Sequence, residues 1–171
     1  MLLTNQNITL PAFKELVVKK LVEEKEETTR DLERVQAEID LKTTEKQEAA
    51  KRGDLSENAE YHAAVEALGP LEKQRAQLRE LDAAYRSNIF TTLTDRTPHK
   101  YVDTGAVVRI KSNGGREYMW MITPSVLASL DKDTLSDNSP VGSHLLGLNS
   151  GSDFEITIKG KLLKYTLQEV Y

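Results

Sequence analysis

From about residue 12 to residue 89 the chain repeats apolar positions every three or four residues, and the repeat is broken once. Val18, Leu21, Lys25, Thr28, Leu32, Val35, Ile39 and Lys42 mark the first arm, and Ala64, Leu68, Leu71, Arg75, Leu78, Asp82 and Tyr85 the second. That spacing is the seam of a coiled coil, where knobs of one helix enter holes in another. The break falls on Gly53-Asp54-Leu55-Ser56-Glu57-Asn58-Ala59-Glu60-Tyr61, so the two arms predict an antiparallel hairpin turning near residue 54. At about 1.5 Å per helical residue the turn lies roughly 50 Å from the hairpin's base. Polar seam members (Lys25, Thr28, Lys42, Arg75 and Asp82) predict moderate pairing, with the surrounding Glu, Lys and Arg as solvated flanks. Gly53 is expected to end the first helix in a left-handed conformation.

Beyond residue 90 the period changes. Thr94-Asp95-Arg96-Thr97-Pro98-His99-Lys100 is turn-rich and reads as a linker. Ala106 to Lys111 and Tyr118 to Ile122 read as strands joined through Asn113-Gly114-Gly115, residues that tolerate positive φ. Phe154 to Ile158 and Leu162 to Leu167 predict a second hairpin through Lys159-Gly160-Lys161, and Ser139 to Gly147 a turn into a short helix. Trp120, Phe154 and the strand aliphatics are the expected core. The reading is thus a two-domain α+β chain: a helical hairpin over residues 1–92, with its acidic tip near 53–58, and an α+β domain over 93–171.

Composition limits the function. With 23 Lys and Arg against 27 Asp and Glu, the net charge of -4 argues against a protein whose main affinity is for a phosphate backbone. No cysteine is present, which excludes disulfides and thiolate metal sites. No apolar run approaches the roughly 20 residues of a membrane span. Met1 to Asn7 lacks the basic start and apolar core of a signal peptide, so the expected setting is the cytoplasm, without membrane contact.

The chemistry concentrates at the tip. Asp54 and Glu57 stand three residues apart, which fits two readings. Asp is a strong N-cap and Glu at the third helical position completes a capping box. Alternatively, two carboxylates carried at the end of a hairpin supply oxygen ligands to a hard cation in another molecule's site. The readings are compatible, because a cap leaves lone pairs free.

The run Gly53-Asp54-Leu55-Ser56-Glu57-Asn58-Ala59-Glu60-Tyr61-His62-Ala63-Ala64 resembles the signature of the bacterial GreA/GreB transcript-cleavage factors. Asn138-Ser139-Pro140-Val141-Gly142-Ser143-His144-Leu145-Leu146-Gly147 is similar to the Ser-Pro segment of their C-terminal domain, and Tyr118 to Ile122 and the closing strand match in position. The likeness covers roughly residues 50 to 171. It implies an N-terminal antiparallel coiled coil and a C-terminal FKBP-like domain. The globular domain would dock at the rim of the RNA polymerase secondary channel, and the hairpin would reach through that channel to the catalytic centre. There Asp54 and Glu57 would help hold a second Mg2+ and orient the water that cuts backtracked RNA at its 3′ end. The nuclease would be the polymerase's, and this chain, a monomer, its activator rather than an enzyme. Ser56 and Asn58 would contact polymerase near the active centre, and Asn138, Ser139 and Pro140 would take part in docking. For the last three, an ordinary turn and cap before a helix is the competing reading.

Two departures from the family pattern stand out. Gly69-Pro70 interrupts the second arm, and an interior proline costs about 3 kcal/mol, so a kink is expected there with Leu68 and Leu71 still on the seam. Pairing about Asp54 sets Ile89 opposite Val18, which leaves residues 1 to 17 overhanging as extra helix or as contacts to the C-terminal domain. Lys51, Arg52, Lys73, Arg75, Arg79 and Arg86 either guide extruded RNA or are solvated helix faces. His62, His99 and His144 lack the spacing of a zinc site. Two other functions stay open: a secondary-channel regulator or inhibitor without cleavage activity, and a coiled-coil adaptor unrelated to polymerase, its acidic tip then merely a cap.

Overall fold

A computed structural model describes residues 8–95, 97–129 and 133–171. Expectations that fall on Met1 to Asn7 and on Arg96 lie outside the described residues. The chain divides into two compact units, one of residues Glu23–Tyr85 and one that joins Met1–Val22 to Arg86–Tyr171. The division expected from chain order, near residue 92, follows the sequence; the compact units follow contacts, and these give the first turns of the long helix to the C-terminal half.

Helix α1 spans Leu10–Ala50 and α2 spans Ala59–Arg86. In the hairpin unit the two run antiparallel, as three side-chain contacts show. The Tyr85 hydroxyl donates to Glu24 Oε2 at 3.0 Å, Arg75 Nη1 donates to Gln36 Oε1 at 3.1 Å, and Lys46 Nζ lies 5.8 Å from the Tyr61 ring centre. The paired positions step inward evenly and converge near residue 54, where the turn was expected. Every expected seam residue in this unit is buried or half-buried, with Val35 only 1% exposed. Thr28 is buried among them, and its neighbour Thr29 satisfies its own hydroxyl by donating to the Lys25 carbonyl at 3.0 Å.

Pro70 does not end the second arm: α2 is one helix with Pro70 inside it. Gly69 and Pro70 are both exposed, on the face away from half-buried Leu68 and Leu71. The freed carbonyl one turn earlier can be solvated there, which makes the proline tolerable.

The second unit is built on a five-stranded sheet in the order β3-β2-β1-β5-β4. Strands β1 (Val107–Ser112) and β2 (Glu117–Thr123) form the first expected hairpin, and β4 (Asp153–Ile158) and β5 (Lys161–Val170) the second. Between them β1 pairs with β5 antiparallel, with a bulge between Arg109 and Ile110. Strand β3 (Thr134–Ser136) adds to β2 in parallel, and helix α4 (Pro140–Leu145) follows it. Alternation along β4 buries Phe154 and Ile156 and exposes Asp153, Glu155 and Thr157, a strand with one face to the core. These two join Val108, Ile110, Ile122, Leu135, Leu145 and Leu167 in one apolar cluster. Trp120 is not in that core: it is half-buried at its margin, stacked on Tyr118 with ring centres 5.0 Å apart. The aliphatics fill the interior, and the largest ring is left where part of it stays wet.

Val107 and Met121 are also fully buried, on the sheet face opposite Val108. Residues 8–22 belong to the same compact unit. The first turns of α1 bury Leu10, Phe13, Val17 and Leu21, a stripe at helical spacing, and three polar ties bind the segment to the sheet unit. Arg109 Nη2 donates to the Ile8 carbonyl at 2.7 Å, and Lys20 Nζ pairs with Asp133 Oδ2 at 2.9 Å. Lys14 Nζ lies 5.7 Å from the Tyr171 ring centre. Burial pushes the Lys14 amine below its usual range, and the charges of Asp95 and Asp103 pull it back up. For the described part of the overhang, residues 8 to 17, both alternatives thus hold, extra helix and contacts to the C-terminal half. A short helix α3 (Asn88–Thr94), separated from α2 at Ser87, buries Phe90 and Leu93. It lies close against Gly105 (φ +95°), where an added Cβ would stand 3.1 Å from the Thr92 carbonyl oxygen.

Candidate functional site: the hairpin tip

Helix α1 closes with a tightened turn, Lys51 and Arg52 donating to the carbonyls of Glu48 and Ala49 at 3.1 and 3.0 Å. Gly53 then takes φ +150°, an extended conformation open to glycine and not the expected left-handed helix end. It lies three residues past Ala50, so it bends the chain after the helix has already ended. Residues 51 to 57 are all exposed.

The capping box expected of Asp54 and Glu57 does not form. Helix α2 starts at Ala59, and its N-cap is Asn58, whose Oδ1 accepts from the Tyr61 N–H at 3.0 Å. Asp54 stands too early in the chain to cap. Its Oδ1 instead accepts from the Ser56 N–H at 3.0 Å, an Asx turn within the tip. The Ser56 N–H, with the Ser56 hydroxyl second, holds the Asp54 carboxyl below the ordinary carboxylate range. Glu57 is exposed, and among the described residues nothing donates a hydrogen bond or offers an ion pair to its carboxylate. The structural alternative for the acid pair is therefore gone for Glu57, and for Asp54 it reduces to one oxygen in a turn.

The signal missed in the sequence is Asn58. Asn before Ala-Glu is as good an N-cap as Asp, and choosing the earlier acid set the helix start four residues too soon. Asn58 is half-buried, and its Nδ2 also donates to the Ala49 carbonyl at 2.7 Å. Arg52 pairs with Glu60 at 2.9 Å, Arg75 with Glu72 and Gln36. Both guanidiniums thus have partners inside the hairpin.

In the sheet unit, Asn138-Ser139-Pro140 forms the lead-in to α4. Ser139 caps it, Oγ accepting from the Gly142 N–H at 3.0 Å and donating to the Ser136 carbonyl at 2.7 Å, with Pro140 at the first turn. Asn138 and Pro140 are exposed; Asn138 Nδ2 donates to Ser125 Oγ at 3.3 Å. The cap reading is thus realised in Ser139, and the flanking pair presents the surface. His99 contacts Asp103, and His144 Nδ1 lies 2.9 Å from the Pro140 carbonyl oxygen. Among the described residues no three His, Asp or Glu side chains cluster closely enough to hold a metal by themselves, and no helix is long and apolar enough to cross a membrane.

Residues 19–84 match the sequence profile described as "Transcription elongation factor, N-terminal", and residues 97–171 the one described as "Transcription elongation factor, GreA/GreB, C-term". Transcription elongation factor GreA of Aliarcobacter butzleri is 32% identical over 147 residues, spanning 81% of this chain and 89% of its own. GreA of Flavobacterium psychrophilum is 31% identical over 153 residues, 90% of this chain and 91% of its own. Among solved structures, Gfh1 of Thermus thermophilus aligns at 17% identity and a TM-score of 0.37 over 86% of this chain and 94% of its own. A GreA/GreB factor of Nitrosomonas europaea aligns at 26% identity and 0.38 over 43% and 63%. At those scores the structural alignments add nothing to the relationship in sequence.

Proposed function

Since the chain belongs to the GreA/GreB family of transcription elongation factors, we propose that it stimulates magnesium-dependent cleavage of backtracked RNA by RNA polymerase. The hairpin enters the polymerase secondary channel and brings Asp54 and Glu57 to the 3′ end of the nascent RNA. The observation that carries this reading is the state of the two acids. Both are exposed on the turn, Glu57 serves no cap, and Asp54 accepts from the Ser56 N–H at Oδ1. An exposed carboxylate at Glu57, without an internal partner among the described residues, beside one held only by its own turn at Asp54, suits a hard cation.

The donor set fits Mg2+ in part. Two carboxylates are what this ion usually takes from a protein, and the remaining positions go to water, phosphate or other ligands. Polymerase and RNA have to complete the sphere. When bound, such an ion lowers the pKa of a water and stabilises the charge that develops on the attacking and leaving oxygens. This chain's part is to carry two carboxylates to that point on the turn between two long helices. Ser56, exposed beside them, is proposed to contact polymerase near its active centre. Exposed Asn138 and Pro140, held by the Ser139 cap, are proposed to dock the globular unit at the channel rim in the bacterial cytoplasm.

The test adds the full chain to a stalled, backtracked elongation complex with Mg2+ and follows RNA length. Shortened RNA that needs both protein and Mg2+ is the expected result. Binding to polymerase without shortening would assign a secondary-channel regulator that does not cleave, and absence of binding would leave a coiled-coil adaptor.

A further inference from the structure

The tip contains no apolar cluster that could order it. Residues 51 to 57 are exposed throughout, and even Leu55 is 43% exposed. Hydrogen bonds must therefore hold the turn. The Arg52–Glu60 pair is a surface ion pair, both side chains more than half exposed, and such pairs contribute little. The Asx turn at Asp54 is local to three residues. One side chain spans the whole loop: Asn58 donates from Nδ2 to the Ala49 carbonyl at 2.7 Å and accepts at Oδ1 from the Tyr61 N–H at 3.0 Å. Ala49 is buried at the end of the α1 seam, so the anchor is fixed. The same carbonyl takes the Arg52 N–H at 3.0 Å, which fills both its lone pairs.

The residue type carries the argument. Asn, Asp and Ser cap helices about equally well, so capping alone has no use for the amide donor. Among these caps only Asn carries its donor and its acceptor on separate atoms, so that Nδ2 can bond one arm and Oδ1 the other; a serine cap, as at Ser139, must do both from one oxygen. We propose that Asn58 is a positioning residue, a staple between the last turn of α1 and the first turn of α2 that sets where the Asp54 and Glu57 carboxylates sit. This rests on the cleavage-factor reading of the tip, and it replaces the expected contact of Asn58 with polymerase by an action through the two acids.

Asn58→Ser and Asn58→Asp both keep the cap and lose the donation to Ala49; the pair also separates that loss from the charge Asp adds. In the full chain, amide exchange of residues 51 to 57 should speed up roughly two- to tenfold in both variants, the range of one net hydrogen bond, while helix content and exchange along the rest of α2 stay unchanged. In the backtracked-complex assay, the cleavage rate at saturating protein should fall, up to about 100-fold for an ångström-scale misplacement, with no change in the concentration that gives half the maximum. Unchanged exchange in the loop overturns the staple. An unchanged maximal rate with a raised half-maximal concentration overturns the positioning role and makes Asn58 a polymerase contact. If the parent chain itself cleaves no RNA, the cleavage reading fails, and the exchange measurement still decides the staple by itself.

Discussion

Asp54 is an exposed acid to which its own turn donates. The Ser56 N–H and hydroxyl stabilise the carboxylate form, so the Asp54 pKa lies below the ordinary value of about 3.9. A depressed folded pKa stabilises the turn above the unfolded pKa, and that contribution is lost only as pH falls through the lower folded value. A carboxyl-carbon NMR titration should place Asp54 below the ordinary aspartate value, and Ser56→Ala should move it part of the way back; a midpoint at or above about 3.9 would contradict the Asx turn. Tyr85 gives the opposite case. Burial first, then the Glu24 charge and hydrogen bond, push its phenol far above its usual range. A raised folded pKa contributes stability that is complete below about pH 10 and declines as pH rises toward the folded value. Tyr85→Phe should cost about 1–2 kcal/mol near neutrality and flatten the alkaline decline, as read by denaturant unfolding at several pH values. Neither behaviour was legible in the sequence. Tyr85 was placed on the seam by its spacing, but its partner Glu24 sits beside the seam on the other arm. Asp54 was singled out for its charge, while its donor was a backbone N–H that no residue type announces.

At the scale of elements, the seam was readable because one physical demand, burying a stripe every three to four residues, leaves its mark on each turn of both helices. Ile39 is buried within it, so Ile39→Ala should destabilise the hairpin unit by about 2–4 kcal/mol. Pro70 lies on the exposed face of an unbroken helix, and Pro70→Ala should raise stability by about 1–3 kcal/mol by restoring a backbone donor. A loss on that substitution would show that the proline is matched to a local geometry the alanine cannot take. The two antiparallel hairpins of the sheet were also legible, because tight turns pair neighbours. Strand β3 was not, since three residues pairing in parallel with a strand more than ten residues earlier leave no local pattern. Gly142 is the hidden constraint in α4: an added Cβ would lie 2.0 Å from the Ser136 carbonyl oxygen. Gly142→Ala should therefore cost more than about 2 kcal/mol and displace the Asn138–Pro140 surface, whereas Ser143→Ala next to it should be close to neutral.

The whole molecule divides where contacts divide it, and the overhang of residues 1 to 17 was the least legible part. Its stripe of Leu10, Phe13 and Val17 continues the α1 period, so spacing alone could not tell a longer coiled coil from a docked helix. The partners that decide it, Arg109, Asp133 and Tyr171, lie about a hundred residues away or more. Phe13→Ala should destabilise the globular unit by about 3–5 kcal/mol, and a fragment starting at residue 97 should lose its cooperative unfolding transition. A fragment as stable as the full chain would show that the segment only leans on the sheet.

Charge at the tip is what the hairpin brings to polymerase in this proposal, and Asp54→Asn with Glu57→Gln isolates it. Asn keeps the oxygen that accepts from Ser56, and Gln replaces a side chain that caps nothing. The decisive measurement is RNA shortening in a backtracked elongation complex with Mg2+, at concentrations where binding curves show the variant occupying polymerase as the parent does. The expected result is unchanged binding with cleavage lowered at least ~100-fold; a variant that cuts as fast as the parent would contradict the central claim.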